Sequence, residues 1–430
     1  MSRTSDLPGA DAVTQGRGAR APLRPLNAAL AELLATVTQL EAEEQVFTFD
    51  ADGRVLRQDV LSALEVPPSD NSAMDGFAVR AADVVQPGGE FKVSQRIPAG
   101  TVGFGLMPGT VARIFTGAAI PFGADAVVPQ EECELLALPE GHVRINATIK
   151  PGQWIRRQGE DVHRGQVVLA QGQRLTPAAL GLSASVGMDR LTVACKPRVA
   201  LFSTGDELVM PGEVAPDAMR PGAIYNSNRF FLRALLQRLG CTVTDYGIVP
   251  DQRAATIEAL AQASAAHDLV LTSGGVSVGE EDHVKPAVQT LGKLDLWQIA
   301  IKPGKPFAHG KIGAAHFVGL PGNPVSSFVT FLLLVRPLLL KLQGVTPLNP
   351  YFAPNSIALN AHFSWARPDT RQEFLRVRRN AAGGLDLFPN QSSGVLTSAV
   401  WGDGLVDNPS GHAIVVGDVV RFIPFSELLA

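Results

Sequence analysis

The feature that most restricts the fold is a regular alternation of apolar strand-like runs with helical patterns, filling the chain from about residue 195 to 346. "RVALFSTGDEL" reads as a buried strand, "NSNRFFLRALLQRLG" as a helix with an Asn or Ser cap and a closing glycine, and "CTVTDYGIVPD" as a second strand. Helix "QRAATIEALAQASAAH", strand "DLVLTSGG", a further helix, strands "LDLWQIAI" and "HFVGL" and helix "PVSSFVTFLLLVRPLLLKLQG" complete the series. Such alternation predicts a doubly wound, parallel α/β domain with helices on both faces.

A chain of 430 residues is too long for one core, so further domains are expected around this one. Short strand-like runs broken by Pro and Gly, including "EFKVSQRIPAG" and "TVARIFTGAAI", predict a β-rich domain over 66–149. That domain reads as an insertion. The segments on either side, 23–65 and 150–194, would form one discontinuous domain, with the helix marked by Leu26, Leu30, Leu33, Leu34 and Val37 packing into it. After residue 347 the pattern returns to short strands, "RQEFLRVRR" and "AIVVGDVVRFIPF", predicting a small C-terminal β-barrel or sandwich over 347–430. Residues 1–22 lack a hydrophobic signal core and read as a disordered arm.

Composition removes several function classes. The net charge of −4 argues against a broad nucleic-acid surface. The three cysteines are isolated, so neither a disulfide framework nor a thiolate zinc site is expected, and a cytoplasmic setting fits. No membrane-spanning stretch is expected. A phosphorylated ligand would have to be held by local cations, backbone dipoles or a metal.

In an open parallel sheet, ligands sit beyond the carboxyl ends of the strands. Here those ends carry "STGDEL", Asp251, "SGGVSVGEED", "KPGKPFAHG" and, before the last helix, "LPGNPVSSF". The Gly274–Gly275 loop and the Gly322–Asn323 turn offer backbone N–H groups to an anion. Lys302 and Lys305 add positive charge. Glu207, Asp251 and Asp282 are three carboxylates at the same edge, and with a bridging Mg²⁺ they would hold a phosphate instead of repelling it. Taken singly, each motif is as easily a tight turn or a cap, and its meaning comes from the coincidence on one edge. No GxxxxGK[ST] or dinucleotide fingerprint is present.

"TSGGVSVGEEDHVK", "IKPGKPFAHG" and "GLPGNPVSSF" closely resemble the molybdopterin molybdenumtransferases, bacterial relatives of the gephyrin E domain. So do "PPSDNSAMDGFAVR", "FTGAAIPFGADAVV", "RRQGEDV" and "LFSTGDEL". The resemblance runs from about residue 24 to the C-terminus. It implies four-domain homodimers that take adenylylated molybdopterin and molybdate, use Mg²⁺, and release AMP as molybdenum joins the dithiolene sulfurs. One domain would be shared with the adenylyltransferase that makes the intermediate. That adenylyltransferase and the recipient molybdoenzymes are further candidate partners.

By this resemblance Glu207, Asp251 and Asp282 organise Mg²⁺ and the pyrophosphate. Lys302, Lys305 and Ser326 match the molybdate-binding set, with Arg376 and Ser393 as C-terminal contributors. Ser273, Gly274, Gly275, Ser277, Pro321, Gly322, Asn323 and Pro324 fall in its substrate-binding loops. A second group, Asp75, Thr116 and Asp161, also falls inside family motifs and would complete the cleft from the partner subunit. Ser69, Phe77 and Gln298 depart from the common pattern, and Gln298 stands where many relatives carry a cation. Two other readings, the adenylyltransferase itself and a gephyrin-type scaffold, account less well for the motifs outside the sheet domain.

Overall fold

The computed structural model describes residues 23–138, 140–250, 252–275, 283–346 and 354–429. They fall into two compact units. One draws on residues 23–39, 196–342 and 354–429, the other on 40–195 and 343–346.

The first unit is built on a six-stranded sheet. Its strands are β1 (Arg198–Thr204), β2 (Thr242–Val249), β3 (Leu269–Ser273), β4 (Gly292–Gln298), β6 (Pro306–Ile312) and β7 (Ala315–Leu320), in the order β2-β1-β3-β7-β6-β4. The first four in that order are parallel, whereas β6 is antiparallel to both β7 and β4. Only β6 therefore runs backwards, and the carboxyl ends of the other five share one edge. Successive residues Val199, Ala200, Leu201 and Phe202 are all buried, as expected of a strand covered on both faces.

The helices are α1 (Leu26–Ala35), α2 (Ser227–Arg238), α3 (Arg253–Ala266), α4 (Val284–Leu291) and α5 (Pro324–Leu342). Leu260 and Ala263 of α3 join Val284, Ala287 and Val288 of α4 in one apolar core with Phe202, Val270, Ala308 and Phe317 of the sheet. Helices α2 and α5 meet through Phe231, edge-on to Phe328 with ring centres 5.8 Å apart.

Three sequence expectations are corrected. "LDLWQIAI" is not one strand: β4 ends at Gln298, and Ile301–Lys302 (β5) joins a different sheet. The segment read as a ligand loop, "KPGKPFAHG", is mostly strand β6. Its Gly310 hid the strand pattern, yet a Cβ there would lie 2.0 Å from the Lys293 carbonyl oxygen, so this close approach requires glycine. Helix α5 is also long and apolar enough to cross a membrane, but most of it is buried inside the unit, which makes it the core helix.

Helix α1 lies with this first unit and not with the segments after residue 150. Lys341 Nζ of α5 donates to the Leu34 carbonyl at 2.5 Å, and the Arg24 guanidinium sits 4.8 Å above the Trp297 ring. The apolar stripe, with Ala29 and Leu33 fully buried, finds its partner at long range, beyond what periodicity can specify.

The C-terminal segment supplies β8 (Ile357–Asn360), β9 (Gln372–Arg379), β10 (Leu385–Leu387), β11 (Gly404–Asn408) and β12 (Val419–Pro424). They pair as β5-β9-β11-β12-β8, with β10 also on β9. A bridge between Ala361 and Leu385 joins the end of β8 to β10 and closes the ring into a small barrel around Phe363, Leu375, Val406 and Phe422. Strand β5 pairs parallel with β9, placing Ile301 opposite Gln372 and Lys302 opposite Glu373.

The second unit contains the expected β-rich portion, a six-stranded sheet formed by Gly76–Val79, Gly89–Ile97, Thr110–Ile114, Ala126–Pro129, Cys133–Leu136 and His142–Ile145. Phe77 is 2% exposed in its core with the Arg113 guanidinium 5.1 Å from its ring.

Candidate functional site

At the carboxyl edge of the parallel strands lies a cleft of about 550 Å³. Thr204 and Glu207 reach it from the end of β1, Ser273 and Gly274 from the end of β3, and Gly322, Asn323 and Pro324 from the turn into α5. Gly394, next to Ser393 of the C-terminal segment, forms another part of its wall. Of the residues singled out from sequence, the structure brings Glu207, Ser273, Gly274, Gly322, Asn323 and Pro324 together in this one cleft. Asp251, Ser277 and Asp282 lie outside the described residues.

The glycines have a steric reason. Gly274 and Gly275 have φ of +89° and +67°, and a Cβ on Gly274 would stand 2.7 Å from the Thr204 carbonyl oxygen. Only glycine lets the β3 loop fold this closely over the end of β1. Asn228 fixes the same loop from the other side. Its Nδ2 donates to Ser273 Oγ at 2.8 Å and to the Gly322 carbonyl at 2.7 Å, tying the two loops together. Asn226, two residues earlier, caps α2 by accepting from the Arg229 N–H. The sequence pattern marked this segment for helix capping and gave no sign of the clamp.

The insertion-like "MPGEVAPDAMRPGA" is the exposed loop expected. At its base Leu208 pairs with Ile224 and Val209 with Tyr225, and Tyr225 Oη donates to the Val214 carbonyl at 2.7 Å. Leu208 and Tyr225 form another wall of the cleft.

The turn holding Lys302 and Lys305 comes close to α5. A Cβ on Gly304 would lie 2.4 Å from Thr330 Oγ1. Thr330 stands one helical turn after Ser326, on the same helix face. Ser326 itself is buried in the first turn of α5. The structure therefore brings the lysine turn and the Ser326 helix face together.

The electrostatics differ from the bare anion site that the sequence suggested. Lys302 Nζ lies 3.2 Å from Glu373 and 3.5 Å from Asp369, and 5.9 Å from the Trp365 ring centre. Glu373 is fully buried and also accepts from Trp365 Nε1 at 2.7 Å. The Arg371 guanidinium grips Asp369 at 2.9 Å and holds its carboxyl well below the usual carboxylate range. Lys305 has no carboxylate partner among the described residues. Beside Gln298 runs the Arg24 backbone, whose N–H donates to the Gln298 carbonyl, while the Arg24 guanidinium goes to Trp297 and Glu32.

Arg376, expected among the substrate-binding residues, is buried and does not line the cleft. Its guanidinium is buried without a carboxylate, donating to Ser398 Oγ and to the Phe374 and Ser392 carbonyls. Burial lowers its pKa to about 10. It holds the 391–394 loop, whose Ser393 carbonyl accepts the Val325 N–H at 2.9 Å. One N–H of the α5 start is thus already taken, leaving fewer for an anion than the sequence implied.

In the second unit, Asp75 Oδ1 accepts from the Thr116 N–H at 2.8 Å and from its hydroxyl at 2.7 Å. These bonds lower the Asp75 pKa. The motif segments are stitched together: Ser72 pairs with Ile155, Gly117 donates to the Ser72 carbonyl and Ala73 to that of Trp154. Asp161 bonds through its own N–H to the Val66 carbonyl, and its carboxylate reaches neither Asp75 nor Thr116.

Comparison with known proteins matches three family models along the chain. Residues 24–187 match "MoeA N-terminal region (domain I and II)", 200–341 "Probable molybdopterin binding domain", and 358–425 "MoeA C-terminal region (domain IV)". The molybdopterin molybdenumtransferase of Haemophilus influenzae is 40% identical, over 88% of this chain and 93% of its own. The chain belongs to the molybdopterin molybdenumtransferase family. The Synechococcus elongatus member of that family is 38% identical over 87% of this chain and 92% of its own. Among solved structures, the molybdopterin biosynthesis moeA protein of Pyrococcus horikoshii OT3 superposes with a TM-score of 0.80 at 27% identity, covering 94% of this chain and all of that one.

Proposed function

We propose that the chain is a transferase of molybdenum cofactor biosynthesis that takes adenylylated molybdopterin and molybdate, releases AMP and leaves molybdenum on the dithiolene sulfurs. The observation that carries this reading is the meeting of the Ser273–Gly274 loop, the Gly322 turn and Glu207 in one cleft. The Lys302–Lys305 turn packs against the helix face that bears Ser326.

Two reactants crowd the site with negative charge, which at close range repels strongly. Glycine-loop amides receive the phosphates, and Lys302, Lys305 and the Ser326 hydroxyl receive the oxyanion. Cleavage adds water oxygen to phosphorus and breaks the phosphoanhydride, so AMP departs and the pterin keeps its own phosphate. The Glu207 carboxylate and Thr204 hydroxyl at the cleft are hard oxygen donors suited to Mg²⁺, which Asp251 and Asp282 would help to hold. When bound, the ion would offset charge on the leaving phosphate. Asp75, Thr116 and Asp161 belong to the same reading as catalytic contributors, as does a homodimer in the cytoplasm.

The purified protein incubated with adenylylated molybdopterin, Mg²⁺ and molybdate should release AMP and retain molybdenum on the pterin. AMP release that ignores molybdate would refute coupled insertion, and consumption of ATP would favour the adenylyltransferase. Sedimentation at micromolar concentration should give the mass of a dimer.

A further inference from the structure

Lys302 already has its counter-charges. Lys302 and Arg371 face Asp369 and Glu373 within one cluster, so its formal charges cancel. The lysine side chain is 36% exposed while that of Glu373 is 1% exposed, so an anion arriving from solvent meets the ammonium with a carboxylate directly behind it. Glu373 cannot swing away, because its second oxygen is fixed by Trp365 Nε1 and Lys302 itself is held by the β5–β9 pairing.

We infer that Glu373, assisted by Asp369, is an internal competitor for Lys302, so that oxyanion binding is an exchange of partners whose strength depends on the charge of the incoming ion. This deepens the proposed function and rests on Lys302 receiving the oxyanion. Breaking the lysine–carboxylate contacts costs the same for any anion. Repulsion from Glu373 grows with the charge of the ligand, so neutralising Glu373 should help every anion by one common factor and a dianion by a further factor over a monoanion of the same shape. Glu373 is a positioning and selectivity residue under this inference, and does not itself take part in bond making.

The test compares molybdate with perrhenate, a tetrahedral oxyanion carrying one charge less, by calorimetric titration at low salt. Wild type, Lys302→Ala, Glu373→Gln and Asp369→Asn are used as full-length protein, each checked by thermal melting. Neutralising one carboxylate several ångströms from the ligand should tighten both anions, and molybdate about threefold more than perrhenate, even with water-like screening. Asp369→Asn should move both in the same direction by a smaller factor, and it stands in if Glu373→Gln does not fold. Weaker molybdate binding in both carboxylate variants would overturn the inference and make these groups mere supports for the lysine. Equal factors for the two anions, or no binding in any variant, would overturn it as well. If Lys302→Ala binds molybdate as wild type does, the assignment of Lys302 to the oxyanion fails, a separate outcome.

Discussion

The Asn228 side chain donates from one nitrogen to both Ser273 Oγ and the Gly322 carbonyl, so a single buried amide sets the spacing of two ligand loops. Asn228→Ala takes this donor from the buried Ser273 hydroxyl, while the Gly322 carbonyl stays at the exposed rim of the cleft. Unmatched buried groups cost roughly 1–3 kcal/mol. The variant should unfold at lower denaturant with an unchanged m-value, and its KM for the adenylylated substrate should rise more than its kcat falls. Asn228→Asp, which keeps the shape but loses the donor, should recover neither.

Asp75 is tied to Thr116 by two hydrogen bonds on an exposed surface. Surface changes of this type usually move stability by less than about 1 kcal/mol. Asp75→Ala should therefore fold and associate as wild type does, yet fail to restore a molybdoenzyme in a deficient host. Full restoration would remove Asp75 from the catalytic set.

His309 and His316 are buried with ring centres 5.8 Å apart, and His309 Nε2 and His316 Nδ1 meet no partner. Burial lowers both pKa values to about 4, against 6.5 for a free imidazole; Lys311 acts in the same direction on both, and Asp295 opposes it at His309. The unfolded chain thus binds more protons between those values, and stability is lost as pH falls from 6.5 towards 4. Each histidine contributes at most roughly 3 kcal/mol to that loss. Above pH 6.5 the pair adds no further slope. Urea unfolding across pH 4–8 should show the window, and His309→Gln should flatten it.

Arg376 anchors the 391–394 loop through fork-shaped donation to the Ser392 carbonyl and Ser398 Oγ. Lysine cannot reproduce that geometry. Arg376→Lys should cost roughly 2 kcal/mol and raise amide exchange selectively at residues 391–394 and at Val325, whose N–H donates to the Ser393 carbonyl. Uniform exchange across the barrel would mean that the loop is held by something else.

Much of this site could be read from the chain because its loops follow strand ends directly. "SGG" and "LPGNP" mark where apolar runs stop, and strand direction then places them on one edge. The counter-charges of Lys302 were not readable in this way, because Glu373 lies 71 residues further along and its pairing with Lys302 depends on the β5–β9 register. Strand β6 escaped notice because Pro306 and Gly310 look like loop punctuation until the neighbouring backbone is in place. The Asn228 clamp escaped because an asparagine near a helix start satisfies the capping pattern, whatever else its amide touches. The placement of α1 depends on where a matching apolar surface lies, which a periodic stripe does not specify.

The two-residue pairing of Ile301–Lys302 with Gln372–Glu373 has a consequence for descent and for engineering. A lysine just after the α/β layer's strand β4 is neutralised by acids of the barrel, so the charge balance around it is shared between stretches of chain 71 residues apart. A chimera joined between residues 303 and 368, with a barrel lacking acids at positions 369 and 373, would leave Lys302 without these counter-charges even though every glycine loop remained its own.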